Sequence, residues 1–261
     1  MKVALIGAGN VATHLGRALV ASGHEVVGIC SRTMASARRL ATDIGAPLAT
    51  DSIARMAGQA NDDALYIISV KDDAVASVGA ALAESAPRAL VVHTAGSLPM
   101  DTLRSRRRGV LYPMQTFSRE RAVDFAAIPL FIEASSADDL RLLHALSGSL
   151  SDNVYEMSSA ERAYLHIAAV FCCNFANHLA TLAAGLLARH DIPFSVMLPL
   201  LDETTRKLHH LPPLQAQTGP AVRGDRTVVA TQHALLQQEG EQHMADIYQL
   251  LSESIFRQHG H

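Results

Sequence analysis

The fold is decided by the stretch Lys2-Val3-Ala4-Leu5-Ile6-Gly7-Ala8-Gly9-Asn10-Val11-Ala12 at the start of the chain. An apolar run typical of a buried strand leads into a G-x-G-x-x-A turn, and a helical pattern follows. Gly7 permits the tight turn, Gly9 lets the backbone approach a pyrophosphate, and the small Ala12 allows helix and strand to pack closely. The stretch therefore predicts a strand–turn–helix unit that binds a dinucleotide.

The helix after this turn is predicted over Val11–Ser22, with Asn10 directly before it. Its backbone N–H groups and the positive end of its dipole would face the phosphate charge of a dinucleotide. The alternative is a tight turn in an α/β protein that binds no cofactor. The position of the motif between an apolar strand and a helix favours the dinucleotide site.

The end of the second predicted strand indicates which dinucleotide is bound. Ser31, Arg32 and Thr33 lie about 20 residues past the last glycine of the turn, where the residue that reads the ribose is expected. This chain has no Asp or Glu between residues 26 and 42, although an NAD site usually carries one. Two hydroxyls and a guanidinium match a 2′-phosphate, so we predict NADP(H). The alternative is that Ser31 caps a helix and Arg32 is solvated.

Two later strand ends supply the other predicted cofactor contacts. The carboxyl ends of strands line the crevice of a doubly wound sheet, so these loops should flank the ribose and the nicotinamide. Lys71 could instead be a general acid or a solvated lysine. The predicted contacts are Ser69, Val70 and Lys71 in one loop, and His93, Thr94, Ala95 and Gly96 in the other.

The pattern of apolar residues divides the chain into two parts. Short strands alternate with helices up to about residue 155, which predicts a doubly wound Rossmann domain over 1–155. Beyond that point the pattern is helical only, with long helices over 159–189 and 194–210 and two more near the end. We therefore predict an all-helical domain over 156–261, which would hold the substrate and form the dimer contact.

Composition excludes several classes of protein. Of the 261 residues, 49% are hydrophobic and 18% charged, and the net charge is −3, so the chain is a globular protein without the basic excess of a nucleic-acid binder. The apolar stretch 167–187 includes Asn174, Asn177 and His178, which favours a buried helix over a membrane span. Three cysteines form no disulfide or zinc pattern. With a strand at the N-terminus instead of a signal peptide, we expect a cytoplasmic protein.

Five segments together resemble the Rossmann-like DUF2520 family. They are the 7–12 turn, Ser31-Arg32-Thr33, His93-Thr94-Ala95-Gly96-Ser97, Tyr112-Pro113-Met114-Gln115-Thr116-Phe117-Ser118, and Thr218-Gly219-Pro220-Ala221-Val222-Arg223-Gly224-Asp225. That family is similar to pyrroline-5-carboxylate reductases, ketopantoate reductases and β-hydroxyacid dehydrogenases. The resemblance implies a helical C-terminal domain like that of 6-phosphogluconate dehydrogenase, and NADP-dependent oxidoreductase activity. Ketopantoate-like 2-oxo acids are the first substrate class it implies, and cyclic imines the second.

The catalytic residues depart from the pattern of the similar enzymes. β-Hydroxyacid dehydrogenases use a lysine on the long interdomain helix, with an asparagine one turn later, whereas this chain has no lysine between Lys71 and Lys207. Its long helix carries His166 and Asn174 instead. Histidine side chains titrate near neutrality, so we predict His166 as proton donor, with Asn174 orienting the substrate. The alternative for His166 is a hydrogen-bonded core histidine.

Three further residues are predicted to bind the substrate. Arg223 could form a bidentate pair with a carboxylate, and Gln115 and Thr116 follow a strand where they could hydrogen-bond the substrate or the carboxamide. An ion pair of Arg223 with Asp225 or Glu239 is the alternative. No metal site is expected, because no histidine pair has a carboxylate or cysteine at ligand spacing.

The sequence as a whole predicts an NADP(H)-dependent reductase for a small substrate with a carboxylate and a C=O group. An imine reductase of the pyrroline-5-carboxylate reductase type is the second possibility. A dinucleotide-binding regulator or redox sensor without turnover is the third, and the missing lysine supports it. The abundance of apolar residues in the C-terminal helices predicts a homodimer formed through that domain.

Overall fold

The computed structural model describes residues Met1–His261 and contains one eight-stranded sheet. Its strand order is β3-β2-β1-β4-β5-β6-β7-β8. The first six strands are parallel, β7 is antiparallel to β6, and β8 is parallel to β7. This confirms the doubly wound Rossmann sheet, whose order 3-2-1-4-5-6 is extended here by two strands. The strands are β1 (Lys2–Ile6), β2 (Glu25–Cys30), β3 (Ala49–Thr50), β4 (Leu65–Ile68), β5 (Leu90–His93), β6 (Arg107–Pro113), β7 (Leu130–Ala134) and β8 (Val154–Glu156).

Helices cover both faces of this sheet because its central strands are apolar on both sides. Val3 and Leu5 of β1 pack in one core with residues of α1, α2 and α5, whereas Ala4 and Ile6 pack in a second core with α3 and α4. The helices are α1 (Asn10–Ala21), α2 (Met34–Ile44), α3 (Ile53–Ala60), α4 (Asp72–Ser85), α5 (Ala137–Leu150), α6 (Ser159–Ala169), α7 (Ala176–Ala188), α8 (Leu198–Lys207), α9 (Pro213–Ala216), α10 (Arg226–Gln238) and α11 (Gln242–Gln258).

The long predicted helix is present over Ser159–Ala188, with a π-helical segment from Val170 to Phe175 inside it. It starts with a capping box, in which the Ser158 side chain accepts from the Glu161 backbone and the Glu161 carboxylate accepts from the Ser158 backbone. By length and composition this helix could cross a membrane, with a hydropathy of 1.5 in its most apolar window. Its side chains are largely exposed in the single chain.

The structure divides the chain into two compact units, Met1–Asn174 and Phe175–His261. The predicted boundary at 155/156 lies where the last strand ends. The division between the two compact units lies instead between Asn174 and Phe175, inside the long helix. The physical reason is that α6 belongs with the sheet. Arg162 of α6 is 1% exposed and forms an ion pair with Glu133 of β7.

The helical unit has a small core of its own. Ala221, Val229 and Phe256 form its cluster of buried apolar residues, and the Arg226 guanidinium stacks 4.5 Å from the centre of the Phe256 ring. Neither α7 nor α8 contains a buried residue. An 87-residue unit with so few buried apolar side chains is poorly stabilised alone.

Candidate functional site

The glycine-rich turn lies between the ends of β2 and β4. Gly7 adopts a φ of 122°, and its N–H donates to the Cys30 carbonyl at 2.7 Å. A Cβ at this position would lie 2.1 Å from the Ser69 carbonyl oxygen, so only glycine fits. A Cβ at Gly9 would meet no atom within 4 Å. The turn is therefore closed on its Gly7 side and open on its Gly9 side, which leaves room for a ligand against the backbone.

This open side faces a cleft of about 870 Å³ in the first compact unit, a volume within the range of cofactor sites. The cleft brings together most of the residues predicted for the dinucleotide and for proton transfer. The predicted residues that line it are Gly7, Gly9, Asn10, Val11, Ser31, Arg32, Thr33, Ser69, Val70, Lys71, Thr94, Ala95, Gly96 and His166. It is also lined by residues that the sequence reasoning missed, among them Asp51, Asp72, Asp73 and Arg119.

One end of the cleft is formed by the ends of β2 and β3. Arg32 and Thr33 are exposed there, and the Ser31 N–H donates to the Thr50 carbonyl at 3.0 Å. Because β3 pairs with β2, this register also places Asp51 on the cleft wall. Burial, and secondarily the Asp51 charge, raises the pKa of the Cys30 thiol to about 11. The predicted 2′-phosphate end thus carries an arginine and a carboxylate together.

The other end of the cleft is formed by Gly96 and His166, with Tyr112 beside them. A Cβ at Gly96 would lie 2.7 Å from both His166 Nδ1 and Tyr112 Cζ, so glycine is required for the two rings to approach. Tyr112 Oη lies 3.4 Å from His166 Nδ1. Burial raises the pKa of Tyr112, so the phenol keeps its proton at neutral pH. This arrangement can deliver a proton at the cleft.

His93 lies beneath the cleft and does not line it. It is fully buried, its Nδ1 accepts from the Ala95 N–H at 3.2 Å, and its Nε2 donates to the Pro99 carbonyl at 3.3 Å. Burial and the nearby Arg162 charge lower its pKa to about 4. The neutral ring therefore supports the loop that carries Thr94, Ala95 and Gly96, and its predicted direct contact with the cofactor is not seen in this geometry.

Three other predicted residues of this unit lie away from the cleft lining. Asn174 is exposed and belongs to the π-helical segment, a type of insertion that often occurs at functional sites. Gln115 and Thr116 are exposed in the connection between β6 and β7, where the side-chain Oε1 of Gln115 accepts from the Thr116 N–H at 2.8 Å. Their roles toward the substrate stay predictions.

Arg223 belongs to the helical unit, where it is exposed at the end of a short 3₁₀ helix. It forms no ion pair with either carboxylate considered from the sequence. Asp225 instead caps α10 by accepting from the Val228 N–H at 3.1 Å, and Glu239 lies near Arg189. The guanidinium is therefore available to a ligand, and its role in substrate binding stays a prediction.

The connection between β6 and β7 returns to the glycine-rich turn through residues Phe117–Arg119, here named the 117–119 segment. Asn10 donates to the Phe117 carbonyl at 2.8 Å, and the Phe117 ring stacks on His14 at 5.1 Å between centres. Arg119 donates to the Ala8 carbonyl at 2.8 Å. Hence Asn10, predicted as a cofactor contact, also anchors this segment.

Comparison with known proteins agrees with this geometry. Residues 2–96 match the family model described as NADP oxidoreductase coenzyme F420-dependent, and residues 128–255 match the domain of unknown function DUF2520. No curated protein matches the chain.

Solved structures with the same fold cover nearly the whole chain. "Putative NADP oxidoreductase BF3122" from Bacteroides fragilis is 45% identical, with 98% of each chain covered and a TM-score of 0.87. Protein TM1727 from Thermotoga maritima is 19% identical over 99% of this chain and 100% of its own, with a TM-score of 0.71. A reductive aminase from Aspergillus terreus, solved with NADPH and ethyl levulinate, is 18% identical over 98% and 92%, with a TM-score of 0.70. The last two show the fold alone.

The match to the Bacteroides protein over the full length and the two family models confirm the resemblance seen in the sequence motifs. The chain belongs to the Rossmann-like NADP oxidoreductase family whose C-terminal region is DUF2520.

Proposed function

We propose that this protein is an NADP(H)-dependent reductase that transfers a hydride to a small carbonyl substrate bearing a carboxylate. The observation that carries the proposal is that His166 and the glycine-rich turn line one cleft, with Tyr112 in hydrogen-bond reach of the histidine. A dinucleotide site and a proton-donating pair in the same cleft are what a hydride-transfer reaction requires.

The residues of the cleft fit a dinucleotide with a 2′-phosphate. The open side of Gly9 leaves the backbone accessible to a pyrophosphate, and the guanidinium of Arg32 suits a 2′-phosphate. Asp51 would repel that phosphate, so Arg32 must outweigh it for NADP(H) to be preferred. When bound, the reduced nicotinamide supplies the hydride that reaches the substrate carbon.

The proton for the substrate oxygen comes from His166 in this proposal. A new C–H bond forms at the carbonyl carbon as the C=O π bond breaks, and the oxygen takes a proton from the imidazolium form of His166, which is left as neutral imidazole. The phenol of Tyr112, within hydrogen-bond reach of Nδ1, orients the ring and leaves Nε2 free for the substrate.

The substrate class rests on the family resemblance and on three predicted ligands. We infer that Arg223 binds the carboxylate and that Gln115 and Thr116 bind the polar group beside the reacting carbon. Ketopantoate-like 2-oxo acids are the first choice. Cyclic imines are the second, and the same proton-donating pair would serve a reduced C=N bond.

Activity with a panel of 2-oxo acids and cyclic imines, followed by NADPH oxidation, tests this function. We expect His166→Asn to lower kcat by about 10²- to 10⁴-fold and Tyr112→Phe by less, with the Kd for NADPH unchanged. His144→Asn, an exposed histidine on α5, is the matched control and should leave kcat unchanged. Tight NADPH binding without turnover of any panel member would instead indicate a non-catalytic binding protein.

We also propose that the protein is a cytoplasmic homodimer formed through its helical unit. Support comes from the lack of buried residues in α7 and α8, and from an apolar groove of about 600 Å³ lined by α7, α10 and α11. A second copy would bury these faces. The three free cysteines are compatible with a reducing compartment.

Light scattering after gel filtration tests the dimer, which should have twice the chain mass of 27.9 kDa. Leu250→Glu on α11, where the leucine is 66% exposed, should shift the mass toward the monomer. Leu142→Glu on α5 is the control, since this leucine is also exposed but lies outside the helical unit. A wild-type monomer, or a protein that partitions into vesicles, would contradict this proposal.

A further inference from the structure

The 117–119 segment is held against the glycine-rich turn and α1 by three hydrogen bonds. Each joins residues more than a hundred positions apart in the sequence, so the contacts are long-range features of the fold. The bonds run from Asn10 Nδ2 to the Phe117 carbonyl at 2.8 Å, from His14 Nε2 to the Ser118 carbonyl at 2.9 Å, and from Arg119 Nη2 to the Ala8 carbonyl at 2.8 Å.

Arg119 brings a positive charge to the turn that the nucleotide motif itself lacks. Its guanidinium uses one N–H on the Ala8 carbonyl, forms no ion pair with a carboxylate, and lines the dinucleotide cleft. A guanidinium carries five N–H donors, so the rest of the fork is available to an anion. Nearby, α1 begins at Asn10 with Gly9 as its N-cap, no side-chain cap and no acidic residue in its first turn. Both features favour negative charge at this point.

We propose that Arg119 is a binding residue for the pyrophosphate of the dinucleotide, which it holds against the backbone of the turn. This inference rests on the dinucleotide site of the proposed function. Ala8, whose carbonyl anchors the guanidinium, stands between Gly7 and Gly9, where the backbone is open to the ligand. An arginine fork pairs with phosphate oxygens through two parallel N–H bonds. Arg119 is thereby tethered before the ligand arrives.

The other cations of the cleft have different places in the fold. Arg32 follows β2 at the end where Asp51 lies, and Lys71 precedes the first turn of α4. Only Arg119 contacts the glycine-rich turn itself through its side chain. Each of the three cations therefore lies beside a different part of the dinucleotide cleft. Arg119 lies beside the part that would hold the pyrophosphate.

Calorimetric titration of the full-length protein with NADPH and with adenosine 2′-monophosphate, which lacks the pyrophosphate, tests this assignment. We expect Arg119→Ala to weaken NADPH binding about tenfold or more and to leave the affinity for adenosine 2′-monophosphate unchanged. Arg119→Lys should restore part of the NADPH affinity. Arg121→Ala is the matched control, because this exposed arginine lies two residues further on and does not line the cleft.

The salt dependence of NADPH binding distinguishes a direct contact between Arg119 and the pyrophosphate from a purely structural role of Arg119. If its charge meets the pyrophosphate, NADPH affinity should fall less steeply with added salt in Arg119→Ala than in the wild type, because one ion pair is missing. Equal loss of affinity for both ligands, or an unchanged salt dependence, would overturn the proposal. Failure of the wild type to bind NADPH at all would overturn the proposed function instead.

Discussion

Arg162 Nη1 lies 2.7 Å from Glu133 Oε2, and this ion pair joins the first turn of α6 to β7. Ser159 donates to the same carboxylate oxygen at 2.6 Å, and Arg162 Nη2 donates to the Leu98 carbonyl at 2.6 Å. His166 follows Arg162 by four residues on the same helix, so it lies one turn further along the same face. The buried pair thus fixes the helix that carries the proposed proton donor.

Removing one member of this pair should destabilise the protein strongly. Arg162→Met would leave the Glu133 carboxylate without its cation, and we expect about 3–5 kcal/mol of lost unfolding free energy in urea titrations. The double variant Glu133→Leu with Arg162→Met should recover part of this loss. Asp138→Asn, which breaks the exposed pair with Arg141, is the control and should cost less than about 1 kcal/mol. An equal loss of unfolding free energy on breaking the buried pair and the exposed pair would show that burial is not the cause.

His93 should make the fold less stable in acid. Its pKa is lowered to about 4 from 6.5, so between these values the unfolded chain binds more protons than the folded one. The His93 contribution is therefore fully present above pH 6.5, falls as the pH decreases, and is lost near pH 4. At about pH 5 the loss amounts to roughly 2 kcal/mol.

Urea titrations at about pH 7.5 and about pH 5 check this dependence against His93→Asn, whose carbonyl can still accept from the Ala95 N–H. The variant should lose less unfolding free energy between the two pH values than the wild type. An NMR titration should show the His93 ring neutral throughout this range. A His93 signal that titrates near pH 6.5 would contradict the expectation.

The two glycines of the turn should respond differently to alanine. Gly7→Ala forces a Cβ onto the Ser69 carbonyl at a positive φ, so we expect loss of both stability and NADPH binding. Gly9→Ala meets no protein atom, and the melting temperature should hold while NADPH affinity falls because the methyl group occupies ligand space. Gly58→Ala on α3, also open, is the control. Unchanged NADPH affinity in Gly9→Ala would argue against a pyrophosphate there.

Cofactor preference should depend on the balance between Arg32 and Asp51. Arg32→Ala should weaken NADPH binding by about tenfold or more and leave NADH binding nearly unchanged, since only NADPH carries the 2′-phosphate. Asp51→Asn should strengthen NADPH binding by removing a like charge. Fluorescence titrations with both nucleotides measure the ratio. Equal effects of Arg32→Ala on the two nucleotides would place the 2′-phosphate elsewhere.

Most of the fold could be predicted because its elements are marked by local pattern. The strands and the long helices follow apolar runs and apolar periodicity, which a sequence displays directly. The short helices α3 and α9 were missed, although α3 buries Met56, Ala57 and Ala60 on one face. Within the basic run Arg104–Arg108, Arg107 and Arg108 belong to β6 and pair with Asp139 and Asp101, contacts that no local pattern indicates.

The candidate site was predictable only where it follows the nucleotide motif. Asp51, Tyr112 and Arg119 reach the cleft region through strand pairing and a long connection, and no spacing rule relates them to the turn. Tyr112 belongs to the motif of residues 112–118, but only Gln115 and Thr116 of that motif were predicted to bind a ligand. The end of β3 could have indicated Asp51, because parallel neighbours end at the same edge of a sheet.

The 117–119 segment also bears on how the nucleotide site forms during synthesis. The turn and α1 leave the ribosome early, but the carbonyls that bond Asn10 and His14, and the guanidinium that bonds Ala8, come more than a hundred residues later. Chains are synthesised at about 5–20 residues per second, so the turn is synthesised several seconds before the 117–119 segment that holds it. A nascent chain released after β5 would carry the whole fingerprint and still bind the dinucleotide weakly. The nucleotide motif is thus synthesised before the segment that completes its binding site.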